Sequence, residues 1–370
     1  MKLPKSLKMP AMRAGLRRRG AGIAAFASPQ PAVDRLGNLA PPRDNPGNLL
    51  GRCYLPAGMK AGAALVVVLH GCTQSAAGFD HGAGWSHLAD RHGFALLFPE
   101  QQRANNMNLC FNWYQPEDAA RDRGEARSIR AMIAQMIETH KLDPARIFVT
   151  GLSAGGAMTS VMLAAYPEVF AAGAIIAGLP FGCADTLGEA LGAMSQVAGA
   201  DEAALGEAVR QASPHRGPWP RVSVWHGSAD RLVVPANGEA IVRQWRDVHG
   251  LPAAPARREQ VDGYPRRVWT DAAGKVLVED YVVTGMAHGT PLRPGREEGE
   301  SGQAGAHMLD VGLSSTDRIA AFFGLVAQPA ARLERRDNRP RPRPEVHAAP
   351  ANDVQSIIEN ALKAAGLIRS

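Results

Sequence analysis

A serine stands between two glycines in the segment Gly151-Leu152-Ser153-Ala154-Gly155, directly after the apolar run of residues 147–150. This spacing, at the end of a strand and the start of a helix, is typical of a nucleophile elbow, a tight turn that exposes a serine hydroxyl above a sheet. The unpaired N–H groups of the following helix would favour negative charge that develops beside the hydroxyl. Ser153 is therefore the candidate nucleophile of an acyl-transfer reaction.

A nucleophilic serine needs a base, and the base needs a group that orients it. Two later apolar runs, residues 221–226 and 276–283, are each followed by a suitable residue, Asp230 after the first and His288 after the second. Sites in open α/β sheets form at the carboxyl ends of strands, and the order serine, aspartate, histidine is that of the α/β-hydrolase fold. We therefore expect His288 to take the proton of Ser153 and Asp230 to orient the imidazole.

Other residues compete for these two roles. Asp262 and Asp271 also follow Ser153 but lie in polar, turn-like contexts, and His307 comes after His288, near the last predicted helix of the body. An aspartate in a loop is most often a turn former. Asp230 and His288 are favoured because each lies in the loop that follows an apolar run, and the alternatives stay open.

The developing oxyanion needs N–H donors. The run Leu65-Val66-Val67-Val68-Leu69 leads into His70-Gly71-Cys72. A turn of this kind after a strand can direct the N–H of its third residue, Cys72, at the same point as the N–H of Ala154. The alternative is an ordinary glycine turn.

Apolar runs alternate with helical stretches along the chain. The predicted strands are residues 64–69, 94–98, 146–150, 173–177, 221–226 and 276–283. Helical spacing of isoleucine and methionine predicts a helix over about 120–140, and Pro235 at a first-turn position predicts another over 235–248. The alternation predicts an α/β-hydrolase fold, with a mostly parallel sheet and helices on both faces.

Two segments of the body carry no predicted strand. Residues 180–219 are rich in glycine and alanine, which favours either plain surface helices or a lid over the active site. Residues 290–306 are rich in proline, glycine, arginine and glutamate and are predicted to form a loop.

The 370-residue chain has a net charge of +6, but the positive charge is concentrated in its tails. Residues 1–20 hold seven Lys and Arg and no acid, and residues 329–346 hold six Arg against three acids, so the remainder is close to −4. A basic folded face for nucleic acid is therefore not expected. No apolar run approaches the ~20 residues that span a bilayer, so no membrane span is expected.

These patterns predict four parts of the chain. Residues 1–37 form a basic tail, in which a short apolar patch after Arg17-Arg18-Arg19 makes a weak export signal or a disordered segment. Residues 38–326 form the catalytic domain, and 327–350 are a Pro/Arg-rich linker. Residues 351–370 form an amphipathic helix that docks on the body or on a second subunit, or lies on a hydrophobic polymer surface.

The four cysteines are Cys53, Cys72, Cys110 and Cys183, and their spacing matches no metal site. Disulfides would indicate an oxidising compartment, whereas free buried thiols would indicate the cytoplasm. The proposed acyl transfer uses only protein groups and water, so no metal and no organic cofactor is expected.

With these residues in place, the chain resembles the polyhydroxybutyrate (PHB) depolymerase family of esterases, short-chain-length type. The matching segments span about residues 50–325 and are His70 to Gln74, Cys110 to Tyr114, Asp122 to Glu125, Gly151 to Gly156, Ala177 to Cys183, Trp225 to Asp230 and Gly285 to Pro291. The resemblance implies hydrolysis of poly-3-hydroxybutyrate or its oligomers, with Ser153, Asp230 and His288 as the triad. It also implies relatedness to feruloyl and acetylxylan esterases.

Further expectations follow from these segments. Asn112 and Trp113 are candidates to line the acyl pocket, with a core position as the alternative for Trp113. Because Cys72 and Cys110 both lie in matching segments, a bridge between them would clamp the oxyanion loop, although free buried thiols pack equally well.

The sequence does not decide the substrate or the cellular location. Secreted depolymerases of this type usually carry a clear signal peptide and a polymer-binding domain, so the weak signal and short C-terminal segment leave soluble oligomers and small esters as substrates. Secretion is favoured by the resemblance, with the cytoplasm as the alternative. A carbohydrate-directed feruloyl or acetyl esterase, and a non-catalytic polyester-granule or partner-binding protein, are the competing functions. The oligomeric state is not predicted.

Overall fold

The computed structural model describes residues 34–195 and 201–327. The strands are Gly37–Leu39 (β1), Leu50–Tyr54 (β2), Leu65–Leu69 (β3), Ala95–Glu100 (β4), Ile147–Leu152 (β5), Ala172–Ile176 (β6), Arg221–Gly227 (β7), Arg257–Val261 (β8), Tyr264–Thr270 (β9), Val276–Val283 (β10), Thr290–Leu292 (β11) and Met308–Asp310 (β12). The helices are Ala76–Ala83 (α1), Trp85–His92 (α2), Pro116–Ala119 (α3), Gly124–His140 (α4), Ala154–Ala165 (α5), Leu187–Ser195 (α6), Glu202–Gln211 (α7), Ala236–His249 (α8) and Ser315–Phe323 (α9).

Ten strands form one sheet in the order β1-β2-β4-β3-β5-β6-β7-β10-β9-β8. The six strands from β4 to β10 run parallel, and these are the six that the apolar runs predict. All five residues of β3 and all six of β5 are buried. Strands that are covered on both faces have continuous apolar sequences, which is why they could be recognised without alternation. The predicted α/β-hydrolase architecture is confirmed.

Antiparallel strands close both edges of the sheet. β1 and β2 join at the β4 edge, and the β8–β9 hairpin joins at β10. None of these four strands was predicted from the sequence. β8, with the sequence Arg-Arg-Glu-Gln-Val, buries only its last residue and has no apolar run to indicate a strand.

The two faces of the sheet carry separate hydrophobic clusters. One cluster lies under α4, α5 and α8 and includes Ile129, Met158 and Trp245. The other lies under α1, α2 and α9 and includes Phe79 and Phe323. All twelve residues of α5 are buried, so this helix lies inside the molecule directly after the serine turn. None of the helices in the described ranges has the length and apolar character needed to cross a bilayer.

The segment 180–219 contains α6 and α7 in its described part. α7 packs on α8, where Arg210 forms an ion pair with Asp247 at 2.7 Å and Gln244 Nε2 donates to the Leu205 carbonyl at 2.9 Å. The end of α6 is joined to the chain after Asp230 by a hydrogen bond from Val234 N to the Met194 carbonyl at 2.9 Å. These contacts join α7 to α8 and the end of α6 to the chain that follows Asp230.

The prediction of a loop over residues 290–306 is wrong for residues 290–292. Thr290–Leu292 forms β11, which pairs in parallel with β12 over three residues. All three residues of β11 are buried, but the proline and glycine of this segment do not indicate a strand. The predicted export signal, most of the predicted linker and the predicted C-terminal helix lie outside the described residues.

Close packing at the serine turn requires glycine. A Cβ atom at Gly155, in the first turn of α5, would lie 2.3 Å from the carbonyl oxygen of Leu69 and 2.5 Å from that of His70. At Gly151 it would lie 2.3 Å from the carbonyl oxygen of Gly155. The helix that follows the serine thus lies in contact with the end of β3, which no other residue type would permit.

We expect Gly155→Ala to destabilise the protein by about 1–3 kcal/mol, because the methyl group must displace backbone atoms. Gly188→Ala is the matched control, since a Cβ there meets nothing within 4 Å in α6 and should be neutral or stabilising by up to about 1 kcal/mol. Denaturant unfolding measures both. Equal stabilities for the two variants would contradict the packing argument.

Candidate active site

Ser153 occupies a strained turn between β5 and α5. Its backbone has φ 57° and ψ −118°, a conformation that non-glycine residues rarely adopt. The N–H of Ser153 donates to the Ile176 carbonyl at 2.9 Å, and its carbonyl accepts from Ala157 N at 2.8 Å. These two bonds hold the turn in place, and α5 begins at the next residue. Strain that neighbouring structure maintains in this way is common at functional sites.

Asp230 and His288 are joined by a hydrogen bond. His288 Nδ1 lies 2.7 Å from Asp230 Oδ2, and both side chains are buried. The other carboxylate oxygen, Oδ1, accepts from Leu232 N at 2.9 Å and Val233 N at 3.0 Å. A carboxylate in this position holds the imidazole proton on Nδ1, which leaves Nε2 free to accept another proton.

A second histidine contacts the same carboxylate. His226 Nε2 lies 2.8 Å from the Val233 carbonyl oxygen and 3.4 Å from Asp230 Oδ2. Burial raises the pKa of Asp230, but hydrogen bonding and electrostatic attraction to the rings of His226 and His288 outweigh burial and hold that pKa well below its usual range. Asp230 is therefore ionised at neutral pH. His226 lies in one of the matching segments, but no role was predicted for it.

The competing residues lie in other surroundings. Asp262, in the β8–β9 turn, forms an ion pair with Arg318 at 2.9 Å, and Asp271 Oδ1 accepts backbone N–H bonds in the β9–β10 turn. His307 Nδ1 donates to the carbonyl oxygen of His288 at 3.0 Å, and the two rings meet edge to face at 5.7 Å. Of the three, only His307 touches the Asp230–His288 pair.

Ser153, Asp230 and His288 follow β5, β7 and β10, three parallel strands whose carboxyl ends lie on one edge of the sheet. Asp230 and His288 share a hydrogen bond. Among the described residues, no hydrogen bond joins the Ser153 hydroxyl to the His288 ring. The same part of the chain contains no group of three His, Cys, Asp or Glu side chains arranged to hold a metal ion.

The predicted oxyanion loop lies against the elbow. A Cβ at Gly71 would lie 3.5 Å from the Leu152 carbonyl, and one at Gly155 would contact His70. Among the described residues, the N–H groups of Cys72 and Ala154 are not taken up by protein acceptors. Both predicted donors are thus available on adjoining segments.

The expected bridge between Cys72 and Cys110 is present, with an S–S distance of 2.05 Å, and Thr73 N donates to the Asn108 carbonyl at 2.7 Å. Cys53 and Cys183 are free thiols, and burial raises the pKa of Cys183 to about 12. The disulfide thus ties the oxyanion loop to the segment that carries Asn112.

Asn112 has a different position from the one predicted. Its side chain is 4% exposed, with Nδ2 donating to Glu125 Oε1 at 2.8 Å and Oδ1 accepting from Asn106 Nδ2 at 3.0 Å. Both polar atoms are occupied, so Asn112 supports its loop and does not present these atoms to a substrate. Trp113 is 9% exposed and packs in the core, edge to face with Tyr114. Trp113 therefore has the core position that was its alternative prediction.

Glu125 is the buried polar residue of this region that sequence reasoning missed. It accepts hydrogen bonds from Asn112 and Gln101, and burial, reinforced by the nearby Asp118 carboxylate, raises the pKa of Glu125 to about 8. The segment Asp122-Arg123-Gly124-Glu125 was a matching segment, but nothing in its spacing indicated that the carboxyl group points inward.

The chain is similar in sequence to known esterases. Residues 50–263 match the family model described as Esterase PHB depolymerase. The chain is 47% identical over 283 residues to poly(3-hydroxyalkanoate) depolymerase C of Paucimonas lemoignei, covering 76% of this chain and 68% of that protein. It is 30% identical to an acetylxylan esterase of Coprinopsis cinerea, covering 71% of each, and 30% identical to feruloyl esterase B of Talaromyces funiculosus, covering 67% of this chain and 71% of that protein.

A solved structure shares the fold. The acetyl xylan esterase from Aspergillus awamori superposes with a TM-score of 0.67 at 24% identity, covering 79% of this chain and 99% of that one.

We expect Cys72→Ser/Cys110→Ser to lower the free energy of unfolding by about 2–4 kcal/mol, because opening the 38-residue loop restores chain entropy to the unfolded state. Cys53→Ser/Cys183→Ser is the control, since it changes two thiols without opening a loop. Urea unfolding without reductant compares the two. An equal or larger loss in the control would argue against the bridge as a stabilising element.

Proposed function

The chain belongs to the PHB depolymerase family of esterases, and on that basis we propose that it hydrolyses ester bonds of poly(3-hydroxybutyrate), a short-chain polyhydroxyalkanoate, or of its oligomers. The main support for this chemistry is the 2.7 Å hydrogen bond between Asp230 and His288. These residues follow the carboxyl ends of the parallel strands, as does the strained turn that holds Ser153. The substrate class follows from the 47% identical depolymerase.

In the first half-reaction, Ser153 Oγ attacks the ester carbonyl while His288 Nε2 takes its proton. Asp230 holds the imidazole by Nδ1 and stabilises the imidazolium that forms. The tetrahedral oxygen accepts hydrogen bonds from the N–H groups of Cys72 and Ala154. His288 then returns the proton to the leaving alcohol, and the acyl group remains on Ser153.

In the second half-reaction, water attacks the acyl-enzyme and gives its proton to His288. Collapse of the second tetrahedral intermediate releases the carboxylic acid and returns the proton to Ser153. For a 3-hydroxybutyrate polyester, the leaving alcohol is the hydroxyl end of one fragment and the acid is the carboxyl end of the other.

A second candidate function uses the same machinery on carbohydrate esters. The acetylxylan and feruloyl esterases at 30% identity support it. The triad and the oxyanion donors do not discriminate between these substrates, because both reactions pass through an acyl-enzyme. The identity of 47% to the depolymerase favours the polyester.

We expect the purified protein to release 3-hydroxybutyrate from soluble oligomers and to release less acetate or ferulate from xylan. Ser153→Ala should reduce every esterase activity by about 10⁶-fold, since the nucleophile is absent. Chromatography of the released acids measures both.

Ser160→Ala, about two turns further along α5, is the matched control for loss of a buried hydroxyl. Faster release from xylan would favour the carbohydrate esterase. A non-catalytic binding protein would show no turnover of any ester and no effect of Ser153→Ala on its function.

We expect Asp230→Asn to lower kcat by about 10⁴-fold. An amide N–H facing Nδ1 would place the imidazole proton on Nε2, and a protonated Nε2 cannot accept the proton of Ser153. The Asn oxygen can still accept from Leu232 N and Val233 N, so the loop should persist. Steady-state kinetics and thermal unfolding separate the two effects. Retention of more than a tenth of the wild-type kcat would exclude Asp230 from this role.

A further inference from the structure

Glu125 has a fully buried carboxyl group that the proposed reaction does not use. The side chain is 1% exposed and accepts three hydrogen bonds, from Gln101 Nε2 at 2.5 Å, Asn112 N at 2.9 Å and Asn112 Nδ2 at 2.8 Å. All three partners are donors, so these hydrogen bonds favour the ionised form of Glu125 and oppose the burial and the Asp118 charge that raise its pKa. Burying such a group is costly unless it is fully hydrogen-bonded, so its place beside the oxyanion loop requires a reason.

One chain of hydrogen bonds runs from Glu125 to the oxyanion loop. Gln101, whose side chain donates to Glu125, donates its own backbone N–H to His70 Nε2 at 3.1 Å. His70 Nε2 is therefore an acceptor and the ring proton lies on Nδ1, which donates to the Gly71 carbonyl oxygen at 2.7 Å. His70 is buried, and burial lowers its pKa, so the ring keeps this neutral form.

The Gly71 carbonyl and the Cys72 N–H belong to the same peptide unit. Because that unit is planar and trans, fixing the direction of the carbonyl oxygen also fixes the direction of the N–H. The bond from His70 to Gly71 therefore sets the orientation of the Cys72 N–H, which is one of the two proposed oxyanion donors.

A second set of contacts reaches Cys72 from the other side. Gln101 Nε2 also donates to the Cys110 carbonyl oxygen at 3.1 Å, and Asn112 is held by its own N–H and side chain on Glu125. Cys110 is bonded to Cys72 through the disulfide. Both connections to Cys72 thus begin at the carboxyl group of Glu125.

We propose that Glu125 is a positioning residue of the oxyanion hole, which fixes the Gly71–Cys72 peptide plane through Gln101 and His70 and the Cys110 segment through Asn112. The inference rests on the proposed esterase function. Glu125 touches no reacting atom, so its effect is exerted through the direction of the Cys72 N–H.

The variant Glu125→Gln keeps the size of the side chain but replaces one acceptor oxygen with an NH₂ group that faces donors. The variant loses either the bond from Asn112 N, if the NH₂ replaces Oε2, or the bonds from Gln101 Nε2 and Asn112 Nδ2, if it replaces Oε1. A misdirected oxyanion donor weakens transition-state binding more than substrate binding. We therefore expect kcat to fall by about 10–100-fold with KM within threefold of the wild-type value, somewhat less than complete removal of one donor. An alkyl boronic acid, which forms a tetrahedral adduct with the serine, should bind more weakly by a similar factor.

Glu279→Gln is the matched control. Glu279 is equally buried and bonds Arg266 and Ser223, but it lies within β10, four residues before the end of the strand. Its substitution should lower thermal stability while leaving kcat and boronate affinity within threefold of the wild type. The assay uses p-nitrophenyl butyrate below the unfolding temperature of each variant, with the folded fraction checked by circular dichroism.

Several results would overturn the inference. A kcat for Glu125→Gln within threefold of the wild type would do so, as would equal losses of kcat and boronate affinity in Glu279→Gln. If Glu125→Gln does not fold, His70→Asn tests the same chain one step nearer to the donor, and an unchanged kcat there would also overturn it. No turnover by wild type, or full turnover by Ser153→Ala, would instead remove the proposed function itself.

Discussion

The close contact between the start of α5 and the end of β3 is the constraint on which the rest of the site depends. The glycines at 151 and 155 let the backbone of the elbow approach the carbonyl oxygens of Leu69 and His70. This approach brings the nucleophile-bearing turn and the His70-Gly71-Cys72 loop together without intervening side chains. The turn also holds Ser153 in a positive-φ conformation that only the surrounding hydrogen bonds maintain.

Two polar systems converge on this contact from opposite sides. On one side, Asp230 receives two backbone N–H groups and two imidazoles, so its charge is retained despite burial. On the other side, Glu125 receives three N–H groups from the segments that border the disulfide. Both carboxyl groups are buried and hydrogen-bonded, which offsets the cost of removing them from water.

Much of this could be predicted from the sequence, because the central strands are covered on both faces and their apolar runs end at chemically suitable residues. Ser153, Asp230 and His288 each follow such a run. The edge strands could not be predicted, since β8 and the proline-containing β11 have no such pattern. Asn112 was misjudged because its motif indicates proximity to the site but not which way the side chain points. Glu125 was missed for the same reason, since its partners come from segments 13 and 24 residues away in the chain.

The charged character of β8 has a consequence for self-association. β8 is the last strand of the ten-stranded sheet, so one of its sides offers unpaired backbone groups to any passing strand. Arg257 and Arg258 are exposed along it, and pairing with a second strand would remove part of the hydration of these charged side chains. Charged side chains on an edge strand disfavour pairing with another sheet, so the low hydrophobicity of β8, which gave no indication of a strand in the sequence, also opposes self-association through this strand.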